Sequence, residues 1–435
     1  SLNALKGPDD GHSDVGENVA YGAYSLYSSL IGDNHTAIGY QALYSEKGGS
    51  NLTAVGHQAL YSNNGGGQNT ALGFQTLRDN TTGGGNTAVG YTSLKSNTIG
   101  ALNTSVGMEA LYWNTTSSGL TGLGFRALAY NTNGVNNTAT GASALQYNTL
   151  GNYNAANGFQ SLLNNSNGSY NSGFGYKTLF TNTTGANNTA TGFKALNFNT
   201  TGGNNTADGW QALNTNTTGN FNTAVGVSAD VTAGNFTNAT AIGYNAKVNA
   251  SNKVRIGNAS VTKIEGQVPF TTPSDGRYKY NVKEDVKGLD FILKLRPVTY
   301  QFDVSRFDGV SKNDQPNMAI MAAYNKAQDI RRTGFIAQEV EKAAKASSYD
   351  FSGIDRPESA EDHYSLSYES FVVPLVKGMQ EQEIIIERQE VDLKLQQQVN
   401  IRQQSMLLEL QQMIIELKTA VQEQQGKIEK LSRLH

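Results

Sequence analysis

Every seventeenth position over half the chain is glycine, at Gly22, Gly39, Gly56, Gly73 and onward to Gly243, which makes 14 positions and 13 unbroken intervals. No insertion or deletion disturbs the register. A period so short and so constant restricts the chain to one architecture, a solenoid whose coils stack on near-identical neighbours. Other slots keep step with the glycine. Two residues before it the side chain is always Ala, Ser or Gly, from Ala20 to Ala241. Three after it stands Ala, Ser or Thr in every copy. Four after it stands Leu in the first 12 copies, Leu26 to Leu213, before Asp230 and Lys247 interrupt the row. Fixed small and large slots predict a narrow interdigitated core, in which an added methylene costs about 1–3 kcal/mol.

Seventeen residues are too few for two helices with turns. They suit two short strands and two corners, with Gly and Asn supplying left-handed corner conformations. Runs such as Asn182-Thr183-Thr184-Gly185 and Asn216-Thr217-Thr218-Gly219 read as those corners. Asn also recurs four before the glycine, as Asn69, Asn86, Asn103, Asn137 and later copies, which predicts a stacked amide ladder. At about 4.8 Å per rung the repeats make a rod of roughly 60 Å. The residue just before the glycine changes from Ile38, Val55, Leu72 and Val89 to Thr140, Asn157, Thr191 and Asp208. That slot reads as facing a neighbouring chain or an assembly axis.

The units Asn-Thr-Ala-Val-Gly-Tyr at 86–91 and Thr-Ala-Ile-Gly-Tyr-Gln-Ala-Leu at 36–43 resemble the head repeats of trimeric autotransporter (YadA-like) adhesins. Val254-Arg255-Ile256-Gly257-Asn258 resembles the segment that closes such heads. The resemblance covers about residues 16–260. It implies a mainly β fold, a trimeric left-handed parallel β-roll, with corner loops longer than usual because the family spacing is shorter.

Composition narrows the function. The chain has 435 residues, no cysteine and a formal charge of −3, so disulfides and thiol catalysis are excluded. Few Lys or Arg in the rod argue against a nucleic-acid partner, and no run of 18 apolar residues supplies a membrane span. No cofactor or metal site is expected. Ser1-Leu2-Asn3 does not resemble a secretion signal, and the start reads as an internal boundary whose anchoring end precedes it. The many Asn-x-Thr triplets are explained by corners and ladders before glycosylation.

After Gly257 the Asn/Thr/Gly bias fades. Residues 271–279 form a polar connector. Leu289, Ile292, Leu293 and Leu295 have helical spacing, and 297–302 alternates as a strand. Residues 303–329 read as a loop or insertion, 333–340 as a strand running into a helix, and 364–368 as the approach to the next helix. From Met379 a 3-4 spacing runs through Ile386, Leu393, Leu407, Leu410, Ile414, Leu417, Val421, Ile428 and Leu431, with Gln and Asn in its middle. This predicts a coiled coil whose heptads alone permit dimer or trimer. The expected divisions are a lead-in at 1–15, repeats at 16–247, a closing segment and linker at 248–274, an α+β module at 275–375 and a coiled coil at 376–435.

Ser274-Asp275 with Arg277 and Lys279, then Leu293-Lys294-Leu295-Arg296-Pro297-Val298-Thr299-Tyr300, then Gly334-Phe335-Ile336-Ala337-Gln338-Glu339-Val340 resemble the endosialidase-type intramolecular chaperone. That family sits at the C-terminus of phage tail fibres and tailspikes, assists trimerisation, and then cuts itself off. The resemblance implies Ser274 as nucleophile, Lys279 as its general base, and Asp275 as first residue of the released fragment. Serine needs a base to become nucleophilic, and lysine serves only when neutral, below its usual pKa of about 10.4. An N-to-O acyl shift at Ser274 would break Pro273–Ser274 instead. His12, His35, His57, His363 and His435 all lie away from the junction.

The expected protein is therefore a homotrimeric tail-fibre or adhesin shaft, in a virion or at a cell surface, with single-turnover autoproteolysis. Its receptor is expected to be a glycan or a surface protein. The alternatives are a glycan-degrading tailspike, whose two carboxylates would come from acids such as Glu109, Asp208 and Asp230, and a bacterial surface adhesin outside any phage. Aromatics after the glycine, among them Tyr40, Phe74, Tyr91 and Trp210, form either a sugar-binding stripe or packing contacts.

Overall fold

Each coil contributes one three-residue strand centred on the small slot, such as Thr36–Ile38, Thr53–Val55 and Thr70–Leu72 in a computed structural model that describes residues 17–28, 32–308, 318–358 and 362–433. The expected lead-in at 1–15 lies outside the described residues. Fifteen such strands, from Val19–Tyr21 to Val254–Ile256, make one parallel sheet. Partners are offset by one repeat, as in Ala37↔Ala54 and Ala54↔Ala71. Period-2 alternation turns the central Ala inward and its flanking Thr and Val or Ile outward. Ala37, Ala54, Ala71 and Ala88 are fully buried, and so is the Leu row from Leu26 to Leu213. These two rows are the core.

The second strand expected in every coil forms only near the end, where Asp230–Val231 pairs with Lys247–Val248. Elsewhere the opposite wall bends at two residues per coil with positive φ, for example Gln58 at 56° and Leu60 at 49°. Its hydrogen bonds still run from coil to coil, with Leu43 N–H donating to the Ala59 carbonyl and Leu60 N–H to that of Thr76, both at 3.0 Å. The left-handed conformation costs roughly 1–2 kcal/mol, which burial of a complete Leu side chain, about 1.5–3 kcal/mol, offsets. Where Asp230 and Lys247 replace Leu, that position becomes extended and the strand appears.

The glycine row has φ between 106° and 138°. A Cβ built on Gly22 would stand 2.6 Å from the Gly39 carbonyl oxygen. Both the dihedral and the approach of successive coils require glycine.

Two buried files of Asn line the interior. One is the expected row: the Asn69 side-chain oxygen accepts from Asn86 N–H at 2.9 Å, and the Asn86 amide donates to the Gly100 carbonyl at 2.9 Å. The other runs from Asn63 to Asn216, through residues that the sequence presents as corner formers. Asn182 donates to the Asn165 side-chain oxygen at 2.7 Å and to the Gly185 carbonyl at 2.9 Å, and accepts from Asn199 at 2.8 Å. Its first rung is Glu46, fully buried, which accepts from the Asn63 amide and from Gly48 and Gly49 N–H. Every amide in this file points its donor toward the N-terminal coil, so the terminal position needs a pure acceptor. A carboxylate is one.

The chain divides into two compact units. The first holds the solenoid together with 301–330 and 358–362. The stretch expected as a loop contains two helices, Val304–Phe307 and Met318–Gln328, with 309–317 outside the described residues. Its aromatic and alanine side chains explain this: Val304, Tyr324 and Ala327 form a small core with Phe302 and Ala259.

In the second unit, Val298–Tyr300 pairs antiparallel with Arg332–Gly334, and the helices Leu289–Ile292 and Ala337–Ala346 pack around buried Phe291, Val340, Phe351 and Phe371. A helix from Val372 to Ser432 closes the chain, its apolar heptad residues exposed along its length. Among the described residues no helix is long and apolar enough to cross a membrane.

Two substitutions test the stacking. Gly90→Ala adds a left-handed strain and a clash with the next coil, and is expected to cost about 3 kcal/mol in a urea titration. Asn182→Leu strands buried amide partners and is expected to cost about 2–4 kcal/mol.

Candidate functional site

Ser274 and Lys279 lie close together in a connector whose side chains are exposed. A local turn brings them into contact. Asp275 caps a single 3-10 turn, Gly276–Tyr278, and its carboxylate accepts from Arg277 N–H at 2.9 Å. Tyr278 N–H then donates to the Asp275 carbonyl and Lys279 N–H to that of Gly276. The tight reversal returns the Lys279 side chain over residue 274, where Nζ donates to Ser274 Oγ at 2.6 Å.

The Arg277 guanidinium also grips Asp275 Oδ2, at 2.9 and 2.6 Å. Hydrogen bonds from that side chain, and then from the Arg277 backbone, hold the Asp275 carboxyl below its ordinary range. Arg277 thus fixes the turn that sets the Ser-Lys spacing. The sequence motif contains Arg277 without giving it a role; the Asp-x-Arg spacing inside a turn is the available signal. The arrangement supplies a hydroxyl, an amine within proton-transfer distance, and a peptide bond on each side of the serine. It lacks burial: both partners are exposed to water.

The other two expected motifs meet in the same unit. Arg296 forms a two-point ion pair with Glu339, at 3.0 and 2.6 Å. This joins the segment before the Val298–Tyr300 strand to the helix after its partner. Tyr368 OH accepts from Phe335 N–H at 3.0 Å, and Glu381 of the long helix accepts from Leu289 N–H at 2.8 Å.

A separate cluster in the solenoid unit has no counterpart among the sequence motifs. Asp308, with its side chain 2% exposed, pairs with Arg255 of the last strand at 2.7 Å. It also accepts from Ala259 N–H at 2.8 Å and from Tyr324 OH at 2.9 Å. Burial, and then the Asp308 hydrogen bond, push the Tyr324 phenol up to about 12. Lys253 pairs with buried Asp362 at 3.0 Å. Residues far downstream of Ser274 are thereby fastened to the final coils. Contacts between segments so distant along the chain carry no local pattern.

The isolated rod acids are each engaged differently. Glu109 pairs with Arg126 at 2.6 Å. Asp230 is buried beside Lys247 and Thr215, and desolvation raises its pKa. Asp208 lies on an exposed strand position. They form no common pair within the described residues of the chain.

Residues 274–349 match the family model described as chaperone of endosialidase. The match begins at Ser274 and contains Asp275, Arg277, Lys279, Arg296 and Glu339. A comparison with curated proteins gave no match. A β-solenoid followed by this chaperone domain fits a tail fibre or tailspike-like protein.

The Asp308 cluster yields an expectation. Asp308→Ala removes the carboxylate that Arg255 and the buried Tyr324 phenol share, leaving Arg255 only the Gly257 and Lys247 carbonyls, so exchange of amides in 318–328 should quicken on the order of 100-fold. Amides of the coils around Ala88 should be unaffected in the same hydrogen-exchange run.

Proposed function

We propose that three copies of this chain build a tail-fibre or adhesin shaft for attachment to a host or surface, and that the part beyond Ser274 is a removable folding aid. The observation carrying this reading is the Ser274–Lys279 contact at the first residue of the matched chaperone domain, downstream of the final coil in the sequence. Ser274 Oγ is the nucleophile and Lys279 Nζ the base that takes its proton. Oγ adds to the Ser274 carbonyl carbon, and the Asp275 nitrogen leaves with the proton carried by Lys279. Water then hydrolyses the Oγ ester to a Ser274 carboxylate, so the released fragment starts at Asp275. Assembly that covers the connector would strip water from the amine and let it act, so the cut waits for the trimer.

The long helix from Val372 supplies the alignment. Its apolar seam at Leu393, Leu407, Leu410, Ile414, Leu417 and Val421 is exposed in the single chain, and knobs-into-holes packing with two copies buries it. Polar Gln and Asn in the middle of the seam set register and number. Parallel coils fold through non-local contacts and expose strand edges meanwhile, so tying three chains at one end raises their effective concentration. Once cut, the shaft cannot return by the same route and is held kinetically. The receptor is a surface glycan or protein, and the site of action is the virion or the cell exterior.

The test is a denaturing gel beside light scattering. Wild type is expected to give a trimeric shaft and a separate fragment whose first residue is Asp275. Ser274→Ala and Lys279→Met should assemble yet run at full length. A normal cut in either variant removes the dyad, and a fragment starting at Ser274 moves the scissile bond to Pro273–Ser274.

A further inference from the structure

One long stretch of the shaft is nearly free of charge, and its few exceptions fall in neighbouring coils. Between Gly49 and Tyr176 the only Lys, Arg, Asp and Glu residues are Arg78, Asp79, Lys95, Glu109 and Arg126, in four consecutive coils. Three of them, with Tyr91, Thr92 and Trp113, line an open cleft of about 340 Å³.

The repeat pattern breaks in several rows here. Tyr40, His57, Phe74 and Tyr91 stack face to face at 5.1–5.2 Å. The next residue of that row is Met108, so Tyr91 ends the stack and is 52% exposed. Trp113 is 50% exposed and meets the edge of Tyr112 at 4.9 Å. Lys95 has its ammonium 5.5 Å above the Tyr112 ring and a contact of 3.4 Å to the phenol oxygen. Among the described residues it has no carboxylate partner.

Thr92 is the sharpest departure. Two positions after the glycine φ is positive, and from Tyr24 to Asn245 Thr92 is the one β-branched residue in that row, with φ 50°. β-Branching is disfavoured there. Its hydroxyl is buried and makes no hydrogen bond in the protein, although the residue lines the cleft. Backbone strain of this kind, in the wall of a concave site, clusters at ligand-binding positions.

We propose that this cleft binds a saccharide chain carrying a carboxylate. Resting on the attachment reading, this places the receptor contact on the shaft and names its chemistry. The exposed faces of Tyr91 and Trp113 suit the C–H faces of pyranose rings, and the Glu109 carboxylate accepts from hydroxyls. Glu109 and Arg126 compensate each other, which leaves Lys95 to meet the sugar carboxylate. The cleft crosses coils about 4.8 Å apart, so a few sugar units span it. A greasy ligand or an amphipathic helix would need a drier, more apolar groove.

The experiment uses the assembled protein on a printed array of bacterial surface saccharides, each acidic member beside its carboxyl-reduced counterpart. Binding to at least one acidic member is expected, at least about tenfold above the reduced form. Trp113→Ala and Lys95→Gln should each lose about tenfold or more, and Trp210→Ala, in a distant stretch of the aromatic row that holds Tyr91, should bind as wild type. Binding to no acidic member, equal binding to the reduced forms, or indifference to both cleft substitutions overturns the proposal. Light scattering of Trp113→Ala adds a check: dissociation would make this face a subunit contact and overturn it too. A gel and scattering of wild type score the shaft reading separately, because an uncut single chain can still be assayed on the array.

Discussion

Every coil of the solenoid depends on the next for its hydrogen bonds. A single turn buries two Asn side chains, a Leu and a small residue, and alone it satisfies those polar groups only in part, as when Asn182 donates to the Gly185 carbonyl. The amide of Asn80 is answered by Asn63, and that of Asn97 by Asn80. Because a buried unpaired amide costs more than a paired one yields, an intermediate with misaligned coils is penalised at many sites together. Constant spacing is the sequence's record of that penalty. An insertion in one coil would break two files at once.

The same dependence explains which features can be read in advance. Gly22 through Gly243, the Ala and Leu rows, and the Asn file four before most of the glycines stand out because periodicity multiplies a weak local preference ten times or more. The file from Asn63 to Asn216 is visible as a row but reads as corners, since Asn serves both roles and only the direction of its side chain separates them. The opposite wall reads as strand in the sequence. Its left-handed Leu residues run against propensity, and what holds them there is tertiary burial. Asp308 and Asp362 have no sequence signal, because each meets a partner in a remote part of the chain, Arg255 and Lys253 respectively.

At the junction, three motifs spread across the matched domain are legible as a set. The structure adds the cause of the Ser-Lys spacing. One 3-10 turn, pinned by Arg277 on Asp275, lays an amine against a hydroxyl. The pairing is ready while exposed to water. The geometry of the contact is thus set by the turn alone, without burial.

The last step of the sheet differs from all the others: Thr240 pairs with Val254, fourteen positions on, where every earlier step takes seventeen. A rod made of interchangeable coils has an inherent hazard, since its open end offers the same docking template as every internal junction and invites tip-to-tail growth into filaments. Shortening the final lap, and setting a guanidinium at Arg255 where the core carries alanine, makes that terminus unlike any other tier. Three missing residues thus give the sheet a last tier on which a further identical coil would find neither the same spacing nor the same small slot.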